Sequence, residues 1–143
     1  MINKIEVSID VIVHATEDIS KIFRSFDQVL EVKEEDFTSV ETTGYFENPI
    51  IMLNAKLVKK QAQNIMKKML ELLSNNQINE LIDEIEKRTT DSKFHLRLDK
   101  QELLKSTVKM SEKGTVKIKI YTPIYNKKDT TKIFSEIFQS QLD

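Results

Sequence analysis

Residues 94 to 101 carry the densest group of side chains in this chain that could bind a ligand or react with one. They read Phe-His-Leu-Arg-Leu-Asp-Lys-Gln. The alternation of apolar and polar residues predicts a strand that places His95 and Arg97 on the face opposite the leucines. An imidazole that titrates near neutral pH beside a permanent planar cation suits an anionic or aromatic ligand. Lys100 and Gln101 follow at the exit of the strand, so the segment predicts a binding surface.

A second group of polar residues lies at alternate positions of a later strand, predicted over residues 115 to 122. If the two strands share a sheet, their polar faces form one surface. Lysines there would neutralise phosphates, and planar side chains would stack on unpaired bases. Exposed lysines on a strand also protect a sheet from self-pairing, and that interpretation stays open. The predicted RNA-binding residues are His95, Arg97, Lys100, Gln101, Lys117, Lys119 and Tyr121.

The net charge of -1 conceals an uneven distribution of charge. Residues 93 to 132 hold 11 basic and 4 acidic side chains, whereas residues 1 to 92 hold 11 basic and 17 acidic ones. A nearly neutral protein does not bind nucleic acid by bulk charge alone, so RNA binding requires a local basic surface. The acidic N-terminal part could equally dock on a basic protein. A protein interaction or assembly module without direct RNA contact is therefore the alternative function.

Signatures of enzymes are absent from the sequence. It has no glycine-rich phosphate loop, no paired histidines on a helix, no nucleophile elbow and no cysteine. We therefore expect a non-enzymatic protein without a metal or another cofactor. Charged residues interrupt every apolar run before the roughly 18 residues needed to cross a bilayer, and the lack of cysteine fits a reducing compartment. These features predict a cytoplasmic protein without a membrane partner.

The elements that must position these residues predict an α+β fold. Alternating residues predict strands over 4–14, 37–43, 50–58, 93–98, 106–111 and 115–122, and helical periodicity predicts helices within 19–30, 62–73, 78–85 and 129–142. Thr16 is predicted to cap the first helix, and Gly114 to adopt a left-handed conformation in a hairpin between the last two strands. The order strand-helix-strand-strand-helix-helix-strand-strand-strand-helix predicts a single domain, 1–143, with one mixed, mostly antiparallel sheet covered by helices on one face.

Three segments resemble a known protein family over nearly the whole chain. They are His14 to Asp18, Gly44 to Ile50 and Leu96 to Gln101, and their order and spacing resemble the archaeal RNA-binding proteins described as predicted exosome subunits. The chain departs from that family's pattern at Glu102 and Leu103, where relatives tend to have small apolar residues. The matching positions are His14, Thr16, Glu17, Asp18, Gly44, Asn48, Pro49, Arg97, Asp99, Lys100 and Gln101.

The resemblance implies an archaeal protein without catalytic activity that binds structured or single-stranded RNA. It implies a fold similar to that of the large-subunit ribosomal protein that binds 5S rRNA. It also implies a role in RNA processing or degradation, with exosome or ribosome-related proteins as partners. Whether the chain forms a homodimer is left open.

Overall fold

The protein is described here by a computed structural model covering residues 4–43 and 48–140. Six strands and six helices lie within these residues. Their order is β1 (Glu6–His14), α1 (Ile19–Leu30), β2 (Phe37–Thr43), β3 (Pro49–Val58), α2 (Lys59–Leu72), α3 (Asn75–Asp83), α4 (Ile85–Arg88), β4 (Thr89–Thr90), β5 (Lys93–Leu98), α5 (Lys100–Leu104), β6 (Val116–Tyr121) and α6 (Thr130–Gln139). Most of the loop that contains Gly44, residues 44–47, lies outside the described residues.

The strands form one sheet in the order β2-β3-β1-β6-β5-β4. Each of its neighbouring pairs is antiparallel. Along β1 the residues alternate between fully buried and partly exposed, because successive side chains point to opposite faces of the sheet. The helices cover the face that carries the buried residues, which confirms the predicted α+β fold with helices on one face.

Aromatic packing fixes β5, the strand that carries His95 and Arg97. Phe94 points to the covered face, where its ring lies 4.9 Å from that of Phe138 and 5.6 Å from that of Phe134, both on α6. All three rings are fully buried. Burying a large apolar side chain contributes about 1.5–3 kcal/mol, so this cluster holds β5 firmly against the helical layer. The polar residues between the buried ones must then face outward.

The predicted hairpin between residues 106–111 and 115–122 is wrong. Both edges of β6 are occupied, by β1 on one side and β5 on the other. The segment before it runs along the outer edge of β5 instead, where Met110 forms an isolated bridge with Leu98 and the Ser111 N–H donates to the Arg97 carbonyl over 3.1 Å.

The predicted left-handed conformation of Gly114 is wrong too, because its φ is not positive. Glycine is required there for a different reason. A Cβ atom at this position would lie 2.2 Å from the Leu98 carbonyl oxygen, so only a residue without a side chain allows the two backbones to approach so closely.

The cap of α1 also differs from the prediction, which placed Thr16 there. The N-cap residue is Asp18, whose carboxylate accepts a hydrogen bond of 2.9 Å from the Ser20 N–H. A carboxylate satisfies a free N–H at a helix start as well as a hydroxyl does, and its charge also interacts favourably with the helix dipole.

Candidate nucleic-acid interface

The uncovered face of the sheet brings five of the seven predicted RNA-binding residues together. In the β5–β6 pair, His95 lies opposite Lys119 and Arg97 opposite Lys117. Lys93 lies opposite Tyr121 in the same ladder. Directly opposed residues point to the same face, so the polar faces of the two strands merge as predicted. We call the surface formed by Lys56, Lys93, His95, Arg97, Lys117, Lys119 and Tyr121 the basic face.

Lys56 joins this surface from β3, two strands away from β6. Ser8 on the central strand β1 lies opposite Lys119 on one side and opposite Lys56 on the other. One row across the sheet therefore reads Lys56, Ser8, Lys119, His95. Lys56 was not predicted as a binding residue, because alternation shows which face a residue occupies but not which strands are neighbours.

The basic face contains like charges in direct opposition. Arg97 faces Lys117 across the β5–β6 ladder, an arrangement that destabilises a sheet. Asp10, the neighbour of Lys117 on β1, instead accepts a 2.7 Å hydrogen bond from Asn54. Within the described residues, no acidic group lies within 4.0 Å of the charged ends of Lys93, Arg97, Lys117 or Lys119. Their positive charge is thus available to an anion.

His95 responds to this positive surface. Burial lowers the pKa of its imidazole below the usual 6.5, and the charges of Lys119 and Lys93 lower it further. The ring is therefore mainly neutral at pH 7 in the free protein. A neutral imidazole can stack on a base, and it can take up a proton when a phosphate approaches.

Two shallow depressions flank the β5–β6 ladder. The first, of about 180 Å³, lies between Lys56, Lys93 and Lys119, with Tyr121 at its side and Glu6 as the acidic group in its lining. The second, of about 290 Å³, follows the outer edge of β5, and its charged lining residues are of both signs. It is lined by Glu84, Lys87, Arg88, Thr90, His95, Leu96, Arg97 and Glu112. Three lysines around an aromatic ring make the first depression better suited to a nucleotide phosphate.

Arg88 is a further basic residue at the second depression that was not predicted. Its Nη2 donates to Glu84 over 3.2 Å, and its buried Nε has no hydrogen-bond partner among the described residues. The ion pair with Glu84 neutralises its charge locally. Arg88 is the last residue of the four-residue helix α4 and lies next to the edge of β5. Helical periodicity does not predict which strand lies beside the end of a helix.

Lys100 and Gln101 lie away from the basic face. Lys100 is only 6% exposed, and its Nζ donates to the Ile12 carbonyl over 2.7 Å and to the Glu17 carboxylate over 2.8 Å. These bonds join the start of α5 to the end of β1. Gln101 is exposed, but it lines a depression of about 400 Å³ at the end of the sheet, together with His14, Thr16 and Lys113.

Glu17 is the acidic partner in this junction. Burial acts to raise the pKa of its carboxyl group, but the hydrogen bonds from Lys100 and from the His14 N–H, together with the charge of Lys100, outweigh that effect and lower the pKa below 4.5. Two of the three segments that resemble the family therefore meet in a structural contact.

The departure from the family pattern after Gln101 does not disrupt this turn. Leu103 is buried at 1% exposure, and Asp99 caps α5 by accepting a 3.0 Å hydrogen bond from the Glu102 N–H. The turn packs onto the core through the Leu103 side chain.

The described ranges contain neither a membrane-spanning helix nor a cluster of metal ligands. None of the helices there is long and apolar enough to cross a membrane. No group of three or more potential metal ligands comes together in this part of the chain.

The fold and the site define an α+β domain whose single antiparallel sheet has helices on one face and a cationic surface on the other. The chain belongs to the family described as RNA binding, whose pattern matches residues 6–124.

Two curated proteins are similar to this chain in sequence, and two solved structures are similar to it in fold. An uncharacterised protein of Methanocaldococcus jannaschii is 34% identical, over 92% of this chain and 94% of its own. An RNA-binding protein of Pyrococcus abyssi is 34% identical, over 74% of this chain and 73% of its own. A protein of Archaeoglobus fulgidus has a similar fold, with a TM-score of 0.80 and 23% identity, over 94% of this chain and 99% of its own. A protein of Methanothermobacter thermautotrophicus has a TM-score of 0.75 and 25% identity, over 94% of this chain and 98% of its own.

Proposed function

We propose that this protein binds RNA without chemically altering it, and that the basic face is the surface that contacts the RNA. The observation that carries this proposal is the β5–β6 ladder, in which Arg97 faces Lys117 and His95 faces Lys119. Among the described residues, none of these three cations forms an ion pair within 4.0 Å. An arrangement that lowers the stability of the free sheet becomes favourable when a polyanion lies across it. The RNA-binding description of the family, and the RNA-binding relative in Pyrococcus abyssi, support the same class of ligand.

The chemistry of the basic face favours unpaired RNA. Lysines on three strands would contact successive phosphates, while Tyr121, His95 and the guanidinium of Arg97 offer planar surfaces to bases. An uncovered sheet face is open to solvent, so bases that are splayed out of a helix can lie along it. RNA loops and single strands meet this requirement, whereas bases inside a duplex do not.

The test replaces Lys93, Arg97, Lys117 and Lys119 together by alanine and measures affinity for a single-stranded RNA at several salt concentrations. If each contacts one phosphate, the slope of log affinity against log salt should flatten by about 3, and affinity at low salt should fall by roughly 100-fold. In a matched control variant, four lysines outside the basic face are replaced by alanine, so that the net charge changes by the same amount as in the first variant. These are Lys21, Lys60, Lys128 and Lys132. Equal losses in the two variants, or no loss in the first, would show that the basic face is not the RNA site.

The lack of catalysis is tested with the same RNA. Incubation of labelled RNA with the protein and Mg²⁺ should leave the strand intact. Cleavage that is lost when an acidic residue near the basic face, such as Asp10, is replaced by asparagine would instead assign a nuclease activity.

We also propose that the bound RNA is either ribosomal RNA or an RNA that is being processed or degraded. Exosome or ribosome-related proteins would then be protein partners. The family resemblance of the three segments supports this part of the proposal. Crosslinking the protein to RNA in its own cells and sequencing the recovered fragments tests it. Recovery of fragments unrelated to either pathway, from a protein that still binds RNA when purified, would contradict the pathway and leave RNA binding intact.

A further inference from the structure

The two edges of the sheet differ in how they are protected. At one edge β4 has only two residues, and it is followed by Asp91 and Ser92 in the left-handed conformation, which ends pairing there. At the other edge β2 has seven residues, six of them exposed. It contains no lysine and no proline, the residues that usually prevent an edge strand from pairing, and Glu41 is its one charged side chain.

An apolar row on the uncovered face reaches the same edge. Val40 on β2 is 61% exposed, and its neighbour Met52 on β3 is 47% exposed. Ile12 on β1 continues the row and is half-buried. Exposed apolar residues that are contiguous usually mark an interaction surface. Here the apolar row reaches the backbone edge of β2, which pairs with no further strand among the described residues.

We propose that β2 pairs with β2 of a second copy of this chain. The two strands run antiparallel about a two-fold axis at Val40, which extends the sheet across both subunits. The apolar row then continues over the axis through Val40 of the partner subunit. Backbone hydrogen bonds along the edge and burial of this row together stabilise the dimer.

The charge pattern of β2 favours a second copy as the occupant and selects this register. With the axis at Val40, Glu41 lies opposite the partner's Ser39, and Thr38 lies opposite the partner's Thr42. Moving the axis to Glu41 would place two carboxylates directly opposite each other, which destabilises a sheet. Moving it to Ser39 would separate the two valines. The strand is thus complementary to itself in one register.

The natural absence of cysteine allows a direct test of this register. Opposed residues in an antiparallel pair have Cα atoms about 4.5–5.5 Å apart, within the range that a disulfide spans. A Val40→Cys variant should therefore form a disulfide-linked dimer under mild oxidation. The control is Val58→Cys, a residue that is 41% exposed on the same face but lies beyond the paired length of β2.

We expect Val40→Cys to crosslink at least about tenfold faster than Val58→Cys, because pairing in the dimer replaces random collision. Sedimentation equilibrium of the nuclease-treated wild type should show a mass that rises with concentration to that of two chains. Val40→Lys should shift this equilibrium to the monomer, while Val58→Lys should not. A wild type that stays monomeric at all concentrations, equal crosslinking of the two cysteine variants, or an unchanged dimer in Val40→Lys would each overturn the proposal.

Discussion

His95 is the residue whose chemistry depends most on its surroundings. Its backbone belongs to an ordinary strand. Partial burial of its ring lowers the pKa of the imidazole, and the nearby charges of Lys119 and Lys93 lower this pKa further. A phosphate near the ring would act in the opposite direction and raise the pKa. Binding of RNA and binding of a proton at His95 should therefore favour each other.

This coupling predicts that RNA affinity rises as the pH falls from about 8 through the pKa of His95, at constant ionic strength. A His95→Gln variant should lose this rise, whereas His14→Gln, at the far end of β1, should keep it. Fluorescence anisotropy with a labelled single-stranded RNA measures both. Identical pH profiles for the wild type and His95→Gln would place the imidazole outside the contact with RNA.

The same pKa shift has the opposite consequence for the stability of the free protein. The pKa of His95 in the folded state lies below its unfolded value of 6.5. Its contribution to stability is therefore complete above that value and is lost as the pH falls through the folded pKa. Low pH should favour the complex with RNA while it weakens the unbound fold.

At the scale of elements, the junction of α5 with the end of β1 is the contact most sensitive to a single change. Lys100 is almost fully buried and bonds two groups that are distant in sequence, the Ile12 carbonyl and the Glu17 carboxylate. Without the ammonium group, the Ile12 carbonyl loses this donor, and the partly buried Glu17 carboxylate loses its cationic partner and keeps the hydrogen bond from the His14 N–H. Such losses are costly because neither group is fully returned to water.

A Lys100→Met variant should therefore lower the free energy of unfolding by about 3 kcal/mol. Urea denaturation followed by circular dichroism measures this loss, and the double variant with Glu17→Gln should recover part of it. RNA affinity measured on the folded fraction should stay close to that of the wild type. A stable Lys100→Met protein with strongly reduced affinity would mean that Lys100 contacts RNA after all.

Acid should also weaken this junction. The folded pKa of Glu17 lies below 4.5, so the stability that it contributes is present above that value and is lost as the pH falls through the folded pKa. In Lys100→Met this acid dependence should be reduced, since the charge and hydrogen bond that lower the pKa are gone.

At the scale of the whole molecule, the uncovered face has two parts with different chemistry. The basic face is concentrated on β6 and β5, with Lys56 on β3, and the apolar row ends at β2 on the opposite edge. RNA binding and self-association would therefore use different parts of one sheet. Two acidic residues of β1, Glu6 and Asp10, lie opposite Tyr121 and Lys117 of β6 and so border the basic face on the side of β1.

This separation predicts that changes on the two surfaces act independently. Val40→Lys should keep the wild-type intrinsic affinity per chain for an RNA short enough to contact one subunit. The variant in which Lys93, Arg97, Lys117 and Lys119 are replaced by alanine should, when it also carries Val40→Cys, crosslink as fast as the single Val40→Cys variant. On the same preparations, light scattering measures the mass of the dimer and fluorescence anisotropy measures the affinity for RNA. Loss of both properties in either variant would indicate one shared site.

Most of the elements were predictable because their periods are unambiguous. The alternation in β1 and the three-and-four spacing of apolar residues in α2 leave only one way to bury their apolar side chains. Residues 106–111 were mispredicted for a reason that no local pattern contains. They have the composition of a strand, but the partner that the hairpin requires is already paired on both sides.

In the candidate site, too, local sequence patterns determined some features and the assembly of the sheet determined others. Alternation alone determined that His95, Arg97, Lys117 and Lys119 point away from the core, because the period of a strand is two and its apolar residues must be buried. Tertiary structure decided which of the predicted residues are neighbours. Strand order placed Lys56 beside the predicted cations. The position of α5 lets Lys100 bond to the end of β1 from a buried site, and it places Gln101 on another surface. Contacts between residues more than 80 positions apart depend on how the sheet is assembled, and no short-range pattern encodes them.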